Sequence, residues 1–283
     1  MLRLRIKIMS ESSGGRKRKS GRKYWLFRTL RLVGVAYATV GLFACSVANR
    51  MIYMPPPASY GGGEGGFVRF GDDEQFAAFY LDAPDEKAPV LLWSHGNAED
   101  AGSLIPLGES FRQKGVGLFL YDYPGYGLSR GKPNEKGCFE AADQAYAYLV
   151  NEKKIAPERI VLVGQSLGSG ASSYLAAKKK AAGVVLISPF ISTFRVVTRV
   201  KILPWDQFDN LKALKRSSLP LLVVHGDADE VVPFWHGRKL YEAYQGPKEF
   251  LTLEGVGHND LWPASGDEVR EAVSQFAKSQ LSR

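Results

Sequence analysis

Residues 160–170 read Ile-Val-Leu-Val-Gly-Gln-Ser-Leu-Gly-Ser-Gly, and no other stretch restricts the fold of this chain as tightly. Ile160–Val163 is continuously apolar, the pattern of a strand buried on both faces. Gly164-Gln165-Ser166-Leu167-Gly168 follows at once, and an alanine-rich helical pattern follows that, over Ser169–Ala177. A strand that becomes a helix so abruptly must turn sharply. Glycine at both ends of the turn lets strand and helix approach without a Cβ clash. In this context G-x-S-x-G holds a serine in a strained turn above a sheet edge, over a helix amino terminus. Ser166 is therefore the candidate nucleophile. A tight turn carrying a solvated serine is the plainer reading of the pentapeptide alone, and the flanking strand and helix weigh against it.

The rest of the chain beyond Phe67 repeats the alternation. Short apolar or β-branched runs appear at 67–70, 76–81, 90–93, 117–121, 160–163, 183–187, 221–224 and 250–253. Helical patterns lie near 101–113, 139–150, 169–177, 235–244 and 267–281. The expectation is an α/β fold, with a mostly parallel central sheet of about eight strands and helices on both faces. The first two strands have no helix between them and should pair antiparallel at an edge. The 283 residues suit one such domain with an appendage. Cys138 reads as a small buried residue in a helix, and two cysteines make no disulfide framework.

A serine hydroxyl needs a base. There are four histidines. His95 and His225 each end a strand before a glycine and read as structural, and His236, early in a helix, reads as exposed. His258 lies in the glycine-flanked loop Gly255-Val256-Gly257-His258-Asn259-Asp260 after the last strand, which can return a side chain to the catalytic edge. The order serine, acid, histidine then puts the acid in the loop after Leu221–Val224. That loop offers Asp227, Asp229 and Glu230. Asp229 is the preferred partner of His258, Asp227 the runner-up as a turn-capping residue, and Glu230 reads as solvated. The amides of Leu167 and of Asn97, in Trp93-Ser94-His95-Gly96-Asn97, are the expected oxyanion donors. No paired-histidine spacing suggests a metal, and no cofactor motif is present.

The net charge of +8 belongs to one end of the chain. Residues 1–31 hold eleven Lys or Arg and one acid, Glu11, whereas residues 32–283 hold 26 basic and 28 acidic residues. A nearly neutral catalytic domain gives no reason to expect nucleic acid as a partner. Leu32–Asn49 carries no charge and lies between Arg31 and Arg50. It fits a membrane anchor or a signal segment. Leu42-Phe43-Ala44-Cys45 resembles a bacterial lipobox with acylation at Cys45, from which Phe43 departs. The positive flank places the catalytic domain on the non-cytoplasmic side, a periplasm or cell envelope in a bacterium. A buried helix of the soluble domain is the competing reading. The expected organisation is a basic tail (1–31), an anchor or signal segment (32–49), a Pro/Gly-rich linker (50–66) and a catalytic domain (67–283) with a short cap near 188–218. The cap brings Phe190, Phe194, Ile202, Pro204, Trp205 and Phe208, either as packing or as an apolar wall for an acyl group.

Together, Ser94-His95-Gly96-Asn97-Ala98-Glu99-Asp100, Tyr121-Asp122-Tyr123-Pro124-Gly125-Tyr126-Gly127, the Ser166 pentapeptide, His225–Pro233 and Gly257-His258-Asn259-Asp260 resemble a family. They resemble the small-capped α/β hydrolases that include eukaryotic protein depalmitoylases and bacterial membrane or lipoprotein members. The resemblance spans about residues 90–260. It implies an α/β-hydrolase fold and a serine hydrolase acting on ester or thioester bonds of an acyl-bearing or small-molecule substrate. A peptidase or amidase, or a membrane-tethered binding protein, is the alternative. Two departures stand out: Pro124 occupies the place of an arginine common in that loop, and the acylated cysteine cluster of the eukaryotic members is missing. The natural substrate and the oligomeric state are not legible.

Overall fold

The computed structural model describes residues 17–198 and 206–281. It divides into two compact units, Met1–Ala48 and Asn49–Arg283.

The first unit consists, in its described part, of a helix, α1 (Lys17–Ile52), whose last residues enter the second unit. The helix does not stop at Arg31 but runs from the basic tail through the apolar run, with no proline in its 36 residues. It ends just before Met54-Pro55, because a residue preceding proline is disfavoured in the α region. Side chains 23–39 are exposed, Trp25 and Phe27 at 63% and 75%. Among the described residues no helix is long and apolar enough to cross a membrane. The side chains of residues 40 and 42–51, Cys45 included, lie outside the described residues.

The second unit is built on one eight-stranded sheet. Its strands are β1 (Phe67–Phe70), β2 (Phe76–Leu81), β3 (Val90–Ser94), β4 (Gly117–Tyr121), β5 (Ile160–Gln165), β6 (Gly183–Ile187), β7 (Leu221–Gly226) and β8 (Lys248–Leu253). The spatial order is β1-β2-β4-β3-β5-β6-β7-β8. β1 and β2 pair antiparallel, β2 joins β4 antiparallel, and all remaining pairs are parallel. Side chains alternate across the sheet with the strand period of two. Val90, Leu92, Ile160, Leu162, Val184 and Leu186 face one core, with α3 (Glu135–Ala147) and α4 (Gly168–Ala176). Leu91, Trp93, Val161, Val163, Val185 and Ile187 face the other, beneath α2 (Ile105–Gln113) and α8 (Leu261–Gln280). Burying each such aliphatic side chain contributes about 1.5–3 kcal/mol against conformational entropy.

Local signals set the helix starts. α2 begins at Ile105 rather than at Ala101, with Pro106 in its first turn. α3 begins at Glu135, four residues before the expected Phe139, because Asn134 Oδ1 caps it by accepting from Gly137 N at 2.9 Å. Short helices α5 (Thr193–Thr198) and α6 (Asn210–Leu214) lie in the cap region, and α7 (Trp235–Ala243) follows β7. Ile202, Pro204 and Trp205 lie outside the described residues. Phe190 and Phe208 are buried in the core and Phe194 is half-buried. Cys138 is buried and unpaired.

The topology places the site. From β3 the chain moves to β4 on one side, then crosses back to β5 on the other. The loops after β3 and β5 therefore diverge and open a crevice at the carboxyl ends of the strands. The loops after β7 and β8 end at the same edge.

Candidate active site

Ser166 sits in the turn between β5 and α4 with φ +48°, in the left-handed region. That region costs a residue with a Cβ roughly 1–2 kcal/mol. Its amide donates to Ile187 O at 2.8 Å, tying the turn to β6. The flanking glycines are required by close approach. A Cβ on Gly168 would overlap Ser94 O and His95 O, and one on Gly164 would meet Gly168 O. The same contacts seat the loop after β3 directly on the serine turn.

His258 Nε2 lies 3.1 Å from Ser166 Oγ, and its Nδ1 lies 2.7 Å from Asp229 Oδ2. The structure thus brings together a serine, a histidine and an aspartate separated by 92 and 29 residues of chain. The Asp229 side chain is fully buried, and that of His258 is 14% exposed. Burial opposes ionisation of Asp229. Hydrogen bonds from His225 and His258, the His258 charge and the Val232 amide outweigh it and hold the carboxyl well below the usual range. Asp229 Oδ1 accepts from Val231 N at 3.0 Å and Val232 N at 2.7 Å. These bonds leave Oδ2 aimed at the imidazole.

The two competing carboxylates do other work. Asp227 Oδ1 accepts from Gly255 N at 2.7 Å, fastening the β7 loop to the β8 loop. Glu230 is exposed yet accepts from His258 N at 3.3 Å, so it holds the histidine's backbone. No sequence spacing signals that contact, because a long acidic side chain beside a loop usually reads as solvated. His225 is fully buried, and its Nε2 bonds Val232 O at 2.8 Å. His95 is buried too, its Nε2 3.4 Å from Asp122.

His236 is buried, not exposed. α7 turns His236 and Leu240 inward one helical turn apart. His236 Nδ1 accepts from Ile191 N at 3.2 Å, which fixes the segment after β6. Burial, together with the charges of His225 and Arg195, depresses its pKa to about 4.

The loop after β3 completes the arrangement. Among the described residues, neither the Asn97 nor the Leu167 amide has a hydrogen-bond acceptor. Leu167 belongs to the serine turn itself, and Asn97 follows the Ser94 and His95 carbonyls that lie against Gly168. Ala98 follows Asn97 at φ +58°. Glu99 Oε1 accepts from Gly96 N at 2.7 Å. Burial pushes the Glu99 carboxyl above its ordinary range, although the charges of His95 and His258 and the Gly96 amide pull the other way. Behind the serine, Gln165 Oε1 accepts from Trp262 Nε1 at 3.1 Å.

Of residues 50–66, read as a linker, 50–52 end α1 and the rest, from Tyr53, run without helix or strand but are not free. Tyr53 and Tyr60 are buried. The Asn97 side chain bonds Ile52 and Met54. The Pro/Gly composition of the stretch gave no sign of these contacts.

Residues 89–201 match the family model of the alpha/beta hydrolase fold. The chain is 41% identical over 198 residues to alpha/beta hydrolase domain-containing protein 17B of Xenopus laevis, covering 68% of this chain and 67% of that one. It is 36% identical over 220 residues to the human 17B protein, covering 76% and 75%. Solved structures share the fold at lower identity. An esterase of Pyrococcus furiosus superposes with TM-score 0.67 at 17% identity, over 81% of this chain and all of that one. The esterase Est1E of Butyrivibrio proteoclasticus, with ferulic acid bound, gives 0.61 at 20%, over 76% and 100%. The chain belongs to the alpha/beta hydrolase family and, within it, to the group of alpha/beta hydrolase domain-containing protein 17.

Proposed function

We propose that Ser166, His258 and Asp229 form a catalytic triad, and that the amides of Asn97 and Leu167 form its oxyanion hole. The activity is that of a serine hydrolase on carboxylic ester or thioester bonds. The observation that carries the assignment is His258, which bridges Ser166 Oγ at 3.1 Å and Asp229 at 2.7 Å. Ser166 Oγ attacks the carbonyl carbon while His258 Nε2 takes its proton, and the carbonyl oxygen becomes an anion between the two amides. Asp229 fixes the His258 tautomer and stabilises the imidazolium. The imidazolium returns the proton to the leaving oxygen or sulfur, leaving an acyl-enzyme. Water, deprotonated by His258, then releases the acid. A fluorophosphonate probe tests this. Folded wild type should be labelled once, at Ser166, and Ser166→Ala should not. An unlabelled wild type, or undiminished labelling of Ser166→Ala, rejects the assignment.

The chain also works at a membrane, attached through α1. Tyr24, Trp25, Leu26, Phe27, Leu30, Leu32 and Val33 are all at least 60% exposed on α1. Eleven basic residues in 1–31 add attraction to anionic lipid headgroups. Water covers such a surface poorly, whereas a bilayer interface suits its aromatics. Acylation of Cys45 is a second means to the same attachment. Quantitative release by carbonate washing would exclude the tether.

A further inference from the structure

Asn97 is an unusual oxyanion donor because its side chain is fully engaged elsewhere. Its Nδ2 donates to Ile52 O at 2.7 Å. Its Oδ1 accepts from Met54 N at 2.9 Å and from Tyr126 OH at 2.7 Å. Ile52 is the last residue of α1, and its carbonyl is one that a helix end leaves without a partner. The Asn97 side chain therefore caps the end of α1 while its own amide stays open toward the site.

The strap that follows is fixed along its length. Met54 N also reaches Tyr126 OH at 3.2 Å. The Tyr53 ring is buried, edge-on to Phe208 with centroids 6.3 Å apart. Ser59 N and Oγ bond Asp100 at 2.7 and 2.5 Å, and Tyr60 OH donates to Asp122. Ile52–Tyr60 thus grips the 96–101 loop near both of its ends. Between the grips lies Ala98, in a backbone conformation that favours glycine. A strained turn keeps its shape only where its surroundings over-determine it. Within the loop, the Glu99–Gly96 bond gives one support; the strap gives the other.

We propose that Ile52–Met54 positions the Asn97 amide through the Asn97 side chain, so that the end of α1 sets the geometry of the oxyanion hole. This rests on the assignment of Asn97 as oxyanion donor. The amide meets the oxygen fully only as negative charge develops. Displacement of the strap is therefore felt in the transition state and much less in substrate binding.

The test uses the full-length protein in detergent with a soluble short-chain p-nitrophenyl ester. Three variants remove parts of the latch. Asn97→Ala removes all three side-chain bonds, and Tyr126→Phe deletes only the hydroxyl. Met54→Pro deletes the strap's N–H, which bonds both Asn97 and Tyr126, and Met54→Ala beside it reports what loss of the side chain alone does. Rates are expressed per Ser166 labelled by fluorophosphonate, so an unfolded fraction drops out of kcat. The expected result is kcat lowered roughly 10- to 100-fold in Asn97→Ala and about 3- to 10-fold in Met54→Pro, with KM within about threefold. Tyr126→Phe should fall between Met54→Pro and wild type. Should Asn97→Ala fail to fold, Met54→Pro decides. Met54→Pro with kcat per labelled site within twofold of wild type, or with its whole effect in KM, overturns the proposal. Wild type that is not labelled at Ser166 removes instead the assignment beneath it, a distinguishable result.

Discussion

The two halves of the site are held by different means. Ser166, His258 and Asp229 sit at strand ends and are fixed by their own loops: a left-handed turn packed on glycines, and two loops stitched by Asp227–Gly255 and Glu230–His258. The oxyanion loop is fixed partly from outside, by a segment 43–45 residues upstream. The first half is specified where its chemistry lies. The second depends on a segment with no chemistry of its own.

The sharpest break in this contrast comes from the acid. Asp229→Asn keeps the side-chain shape but turns one oxygen into a donor, so His258 is driven toward the wrong tautomer. The expected loss in kcat is about 10⁴-fold. Asp227→Asn retains an acceptor for Gly255 N and should stay within a few-fold of wild type. Steady-state kinetics on both variants would locate the acid, and comparable losses would refute the division of labour among these carboxylates.

The same contrast explains what was legible in the sequence. The Ser166 turn could be read because strand, glycines and helix are contiguous and each is demanded by sterics. His258 and Asp229 followed from chain order and elimination. The eight strands were legible because a two-sided buried strand has a plain apolar signature. His236 was misread because its position early in α7 says nothing about which face turns inward; in the fold that face meets the segment after β6, where Ile191 N donates to Nδ1. The strap was unreadable for a similar reason. Proline and glycine explain why it forms neither helix nor strand, but its hydrogen bonds depend on which loop the topology brings beside it. Glu230 read as a solvated acid, since nothing local shows that it accepts from the His258 amide.

His236, which fixes the segment after β6, gives the fold an acid sensitivity. An unfolded histidine titrates near 6.5, and the folded one near about 4. Above pH 6.5 both states are neutral and the residue adds no pH dependence. As pH falls from 6.5 toward 4, the unfolded chain takes a proton that the folded chain refuses, so stability falls with pH. The slope is at most ~1.4 kcal/mol per pH unit, which gives on the order of 2 kcal/mol, or about 30-fold in the folding equilibrium, by pH 5. Urea titrations at pH 7 and pH 5 measure it. His236→Gln can still accept from Ile191 N and should remove that part of the acid slope. A slope unchanged in His236→Gln would place the acid sensitivity elsewhere.

The smallest effect sharpens the comparison within the oxyanion loop. Glu99 and the strap support one strained turn, Glu99 through Gly96 N and the strap through the Asn97 side chain. Glu99→Ala leaves the strap in place and should lower kcat about fivefold, corresponding to about 1 kcal/mol for one internal hydrogen bond. Glu99→Gln keeps a carbonyl acceptor and should lose less. The informative measurement is the double-mutant cycle with Asn97→Ala. Two supports of a single turn are not independent, because once the turn has relaxed the second support has little left to hold. Glu99→Ala in the Asn97→Ala background should therefore cost under about twofold, a clear departure from additivity. If the two losses multiply, Glu99 and the strap act on separate parts of the loop, and the Ala98 turn is not what joins them.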